Sequence, residues 1–247
     1  MNIIVKEGFA FRVPELANRY RANCNGEWGC FVTGDTKGLT HSKAEKAGLT
    51  RGNFVELAVC QISEKILTFE PHYHAEPFLE IWGFPVAGEM KNELPEKASQ
   101  LVTFLLHRRS KDKMIGLVDT FAKEAFTSWV NEGMKGDANE YAFHKANELR
   151  FSKIFRFEFV PETSPNGNYH WVKVDVREPN SELDKAALLA AKEVCELYPT
   201  ACTDSRLEEN HLNNVGAVLP PAAAPNALPA GNGAAVAQIP AKTKSSK

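Results

Sequence analysis

Apolar and polar positions alternate along two neighbouring stretches of the chain. In the first, Phe155, Phe157 and Phe159 alternate with Ile154, Arg156, Glu158 and Val160. Successive strand side chains point to opposite faces, so the three rings form a row on one face of a strand. In the second, His170, Val172, Val174 and Val176 face one way and Tyr169, Trp171, Lys173 and Asp175 the other. Between them lies Ser164-Pro165-Asn166-Gly167-Asn168, rich in turn formers, and Asn-Gly tolerates the positive φ that a tight hairpin turn needs. The pattern predicts a β-hairpin whose Phe and Val rows share a buried face. Its other face then carries Arg156, Tyr169, Trp171 and Lys173.

The same patterning places further elements. Ile3-Ile4-Val5 is an apolar cluster, and the alternation Phe9/Phe11/Val13 predicts a strand stopped at Pro14; residues 15–40 read as irregular apart from a short strand at Trp28–Val32. Ser42-Lys43-Ala44-Glu45 has the form of a capping box opening a short helix that ends at Gly48. Strands are expected at Phe54–Ile62, Lys65–Glu70, Pro77–Val86 and Leu101–His107, with Phe78, Glu80, Trp82 and Phe84 on one face of the third. The run from Leu106 to Lys113 reads as a basic loop leading to a partner strand at Met114–Val118. Ala122, Ala125, Phe126, Trp129 and Val130 make a helical stripe that starts near Asp119 or Thr120 and stops at Gly133. Asp137 caps a second helix reaching about Leu149, and Ser181 opens a third with Leu183, Ala187, Ala190, Val194 and Leu197 as its stripe. The fold class expected is α+β: a mainly antiparallel β-sheet, barrel-like in one arrangement, with about four helices.

Composition refines this in three places. Ala, Pro, Gly and Asn dominate the C-terminal end, too poor in bulky apolar groups to offset ordering entropy, so a mixed domain over 1–210 and a disordered tail over 211–247 are expected. A net charge of −2 argues against bulk attraction to duplex DNA but leaves room for a local basic groove. The five cysteines, Cys24, Cys30, Cys60, Cys195 and Cys202, contain no CxxC pair. No apolar run approaches the roughly 20 residues of a membrane helix, and none resembles a secretory signal. A cytoplasmic location with reduced thiols is expected, without membrane contact.

Candidate chemistry sits in three places. The aromatic and cationic hairpin face suits unpaired bases, whose rings would stack on Tyr169 and Trp171 while Arg156 and Lys173 meet phosphates. Trp82 and Phe84 are further stacking candidates. The alternative for this face is ordinary solvation, or cover by a helix with Trp171 in a second small core. The basic segment Arg108, Arg109, Lys111 and Lys113 suits phosphate contact, or is simply a solvated loop tip. His72, His74 and Glu76, with Glu80 beyond, carry metal-ligating groups. The segment HYHAEPFLEIWGFPVAGE resembles the first metal motif of cupins, although its carboxylates fall two and six residues after the second histidine instead of three or four. The resemblance implies a metal site on a jelly-roll scaffold. No nucleophile elbow, HExxH, phosphate loop or dinucleotide fingerprint is present, so neither a catalytic residue nor a cofactor is indicated.

Three functions follow as expectations. The first is a non-catalytic single-stranded nucleic-acid-binding protein using the aromatic and basic sheet face. A β-rich body with a trailing tail is similar in outline to OB-fold single-strand binders of phages and plasmids. The second is an accessory protein-interaction or assembly subunit of phage or mobile-element type, contacting a protein partner through its tail or aromatic face. The third is a metal-binding protein or metal-dependent enzyme built on His72 and His74.

Overall fold

The structure, a computed structural model, describes residues 2–14, 17–24, 27–68, 75–165 and 167–197. Among these the chain forms β1 (Asn2–Lys6), β2 (Phe9–Val13), β3 (Asn18–Cys24), β4 (Gly29–Val32), α1 (His41–Lys46), β5 (Phe54–Thr68), β6 (Ala75–Gly88), α2 (Glu89–Asn92), β7 (Ala98–Gln100), β8 (Val102–His107), α3 (Arg109–Asn131), α4 (Ala138–Arg150), β9 (Ile154–Ser164), β10 (Gly167–Arg177) and α5 (Glu182–Leu197). The class is α+β. The expected tail over 211–247 lies outside the described residues, as do His72 and His74.

Seven strands form one nearly closed sheet in the order β10-β9-β5-β6-β8-β3-β4, and β1, β2 and β7 form a second. The predicted hairpin is β9–β10, with Phe155 opposite Val176, Phe157 opposite Val174 and Phe159 opposite Val172. These rows face the inside of the curved sheet, where they meet Phe31, Val55, Leu57, Val59, Ile81, Phe104 and Leu106. The rings interlock: Phe31 lies 4.9 Å from both Phe104 and Phe159, and Phe104 lies 5.0 Å from Phe157. Each fully buried ring stabilises the fold by about 2–3 kcal/mol relative to exposure.

The outer face of β5 and β6 has its own cover. Ala58, Cys60, Trp82 and Phe84 pack against Phe11 and Val13 of the small sheet and against Ala186, Ala187, Ala190, Ala191 and Val194 of α5. Trp82 and Phe84 are therefore core residues and cannot stack on a base in solution, which corrects the expectation for both. Their strand row faces a second hydrophobic layer, not water.

Connectivity gives the large sheet its character. β5 pairs with β6 and β9, β6 with β8, and β9 with β10, all antiparallel, and the helical segment α3–α4 joins β8 to β9. These five strands make one antiparallel run, β10-β9-β5-β6-β8, with β10 and β8 at its two ends. At the β8 end the sheet continues with a parallel neighbour: β3 runs parallel to β8, through Asn18–Val102 and Tyr20–Phe104. β4 then leans back on the start of β5, where the Phe31 amide donates to the Gly52 carbonyl (2.9 Å) and the Arg51 amide to the Phe31 carbonyl (2.7 Å). At its other end β4 comes close to β10: a Cβ at Gly29 would stand 2.7 Å from the His170 side chain.

Two expected elements differ. The segment read as a basic loop and a strand at Met114–Val118 is the first half of α3, which runs unbroken from Arg109. The two strands expected over Phe54–Ile62 and Lys65–Glu70 are one strand, β5, with register shifts at Glu56/Leu57 and Val59/Gln61. The helix near residue 42 exists, but its N-cap is Thr40 and no capping-box hydrogen bond forms.

Candidate nucleic-acid interface

The start of α3 is held in place by four strands, β5, β6, β9 and β10. The β10 edge leaves a backbone amide unpaired at Val172, and Ser110 Oγ accepts from it at 2.9 Å. Ser110 is buried there, one residue into the helix, and Met114 follows it into the core one turn later. With Ser110 pinned to the strand edge, Arg109 reaches round to the outer face of the hairpin. Its guanidinium lies over the Trp171 ring, 4.3 Å from the centroid, within range of a cation–π contact. It pairs with Glu162 and lies 3.4 Å from the Tyr169 hydroxyl.

Neighbouring residues tie the same segment to the β5–β6 end. His107 Nε2 lies 2.5 Å from Glu76 Oε2 and its ring stacks on Phe78 at 4.3 Å. Arg108 Nη2 lies 3.5 Å from the other Glu76 oxygen, and Lys111 Nζ lies 3.9 Å from Glu64. Residues 107–111 thus bridge the connected ends of two hairpins, β5–β6 and β9–β10. Burial holds the His107 imidazole below its ordinary pKa against the pull of Glu76. The Glu162 carboxyl is held below its ordinary value, first by the hydrogen bond from Arg109.

Arg108 occupies an unusual backbone position, φ 47° and ψ −127°, at the N-cap of α3. A side chain with a Cβ is disfavoured in this region, which glycine adopts freely. Its own side chain is 79 % exposed.

The structure therefore brings together Arg108, Arg109, Lys111, Tyr169, Trp171 and Glu76, which the sequence had offered as three separate candidates. Lys113 is exposed on the first turns of α3 and makes no ion pair among the described residues. Arg156 and Lys173 lie elsewhere on the outer hairpin face and are engaged. Arg156 donates to Glu56 (3.1 Å) and Glu158 (3.0 Å) and lies over Phe54 at 4.2 Å; Lys173 pairs with Asp175 at 2.8 Å, which raises its pKa. Further along, Arg177 Nη2 joins Glu56 at 2.6 Å and Arg177 Nη1 joins Asp184 of α5 at 2.6 Å. This stretch of the face is a balanced charge lattice, not a cationic surface.

Sequence reasoning missed Glu162, Glu64 and Ser110. Glu162 and Glu64 gave no local signal: across the hairpin Glu162 faces Tyr169, and both carboxylates find their cations on α3. Ser110 gave no signal, because its role exists only once β10 has a free edge beside it.

Among the described residues, no group of three or more His, Cys, Asp or Glu side chains is placed to hold a metal ion, and Glu76 is engaged by His107 and Arg108. No helix among them is long and apolar enough to cross a membrane. Comparison of the chain with protein-family models, with curated proteins and with solved structures found no match.

Proposed function

We propose that this protein binds single-stranded nucleic acid without catalysis, through the bridge at residues 107–111 and the neighbouring tip of the β9–β10 hairpin. The observation that carries the reading is the Arg109–Trp171–Tyr169 cluster. A partly buried indole with a guanidinium over it, beside a phenol, offers stacking surface for a base and a cation for its phosphate. Arg108 and Lys113 add exposed charge at the same end. The strand path adds a fold-level analogy: OB-type barrels take oligonucleotides near the loops that join the first strand to the second and the fourth to the fifth, here the β5–β6 and β9–β10 ends. The four described cysteines are free thiols, in keeping with a cytoplasmic site of action.

Arg156 and Lys173 have structural duties in this reading, since Glu56, Glu158 and Asp175 neutralise them. Glu162 is a competitor: it holds Arg109 in place and must yield it to a phosphate. Fluorescence anisotropy of a labelled single-stranded oligonucleotide at low salt separates these roles. Arg109→Ala and Trp171→Ala are each expected to weaken binding by about 1–3 kcal/mol, the usual worth of a stacked base or a charged contact. Glu162→Gln is expected to tighten it roughly two- to fivefold, the worth of an exposed ion pair. Lys173→Ala should leave it nearly unchanged. Equal loss from Lys173→Ala and Arg109→Ala would move the contact surface off the bridge, and no binding by the wild type would remove the proposal.

A further inference from the structure

The helix α3 has two apolar stripes. One, Ser110, Met114, Phe121 and Ala125, is buried against the sheet and α4. The other, Ile115, Val118, Ala122, Phe126 and Trp129, runs along the adjoining side. Ile115 is 37 % exposed, Val118 36 % and Phe126 52 %, with Val130 beside them at 42 %. Phe126 and Trp129 touch each other, at 5.7 Å between centroids, and Trp129 Nε1 is satisfied by the Lys135 carbonyl at 3.0 Å. No described element covers this stripe.

Its spacing reads the same in both directions. From Ala122 the apolar positions fall four and seven residues away on either side, at 118 and 126 and at 115 and 129. A second α3 laid antiparallel, with Ala122 against Ala122, sets Val118 opposite Phe126 and Ile115 opposite Trp129 in both halves. Small residues at the centre allow helix axes to approach closely, while the larger ones fill the widening space on either side. Charge follows the same symmetry. Asp119 and Lys123 lie on one border of the stripe, on either side of Ala122, so each copy's Asp119 comes alongside the other's Lys123 near the two-fold axis. A surface that is complementary to itself is what an isologous dimer requires.

We infer that the exposed stripe of α3 binds a second copy of this chain, antiparallel and two-fold symmetric about Ala122. The site on the 107–111 bridge is not needed for this contact, and the two can fail independently.

Sedimentation of the full chain over a concentration series tests it. The wild type is expected to approach twice the chain mass of 27.4 kDa as concentration rises. Phe126→Asp is expected to sediment as a monomer with an unchanged circular-dichroism spectrum. Asp119→Lys and Lys123→Asp are each expected to weaken the dimer, and the double variant to restore it, which a general loss of folding would not do. A wild type that stays monomeric up to its solubility limit, or a dimer that Phe126→Asp leaves intact, would overturn the inference. Dissociation by Phe126→Asp without rescue by the charge exchange would overturn the antiparallel register.

Discussion

Arg108 shows how a single residue carries the tension between fold and use. Its backbone is in a region that costs of order 1–3 kcal/mol for a residue with a Cβ, yet glycine, which would relieve that cost, is not what the chain has there. The exposed guanidinium beside the connected ends of two hairpins accounts for the choice under the proposed function. Arg108→Gly should therefore separate the two demands. Thermal unfolding should shift upward by about 2–4 °C for each kcal/mol relieved, while oligonucleotide affinity falls. A drop in melting temperature would mean that the Arg108 side chain supports the fold itself. At this scale the hairpin rows were legible, because a period of two and an Asn-Gly turn leave little freedom of register. The charged partners were not, since Glu76, Glu64 and Glu162 meet residues 107–111 only after three distant segments converge.

Whole elements were read well where packing and local pattern agree, and poorly where packing decides alone. The first turns of α3, Arg109-Ser110-Lys111-Asp112-Lys113, are polar all round and lack a capping side chain, so nothing local marks them as helix. They are helical because Ser110 and Met114 are buried on one side. β3, with Tyr20 its one buried side chain, shows no alternation strong enough to see and owes its place to the parallel pairing with β8. α5 was clear from its stripe, but its clamp to the barrel was not. Arg177 links Asp184 at the start of α5 to Glu56 on β5, and both carboxylates are buried. Burial alone would raise the Asp184 carboxyl; hydrogen bonds from Arg177 and the Asn180 amide hold it below its ordinary value of 3.8. A depressed carboxylate stabilises the fold above its unfolded pKa and loses that contribution as pH falls through the lower folded value. Arg177→Met should cost about 2–4 kcal/mol at neutral pH, having left two buried carboxylates short of a partner. In urea titrations the gap from wild type should narrow as the pH drops below about 3.8. A gap that stays constant down to strongly acid pH would mean that lost packing, not charge, is responsible.

For the molecule as a whole, the near-closure of the sheet is what assembles the proposed site. Strand order is not written in any one strand: the insertion of β3 beside β8 and the return of β4 to β5 leave β10 with the free edge that Ser110 caps. That edge in turn sets Arg109 over Trp171. The central claim is that Trp171 is a platform for an unpaired base, and the tryptophans are well arranged to test it, since Trp28 and Trp82 are buried and Trp129 lies on the far stripe of α3. The most direct measurement is intrinsic tryptophan fluorescence during titration with an unlabelled single-stranded oligonucleotide, at low and high salt. The account predicts saturable quenching that weakens with salt, survives Trp129→Phe and disappears in Trp171→Phe. No quenching at low salt, or quenching that Trp171→Phe leaves unchanged, would contradict it.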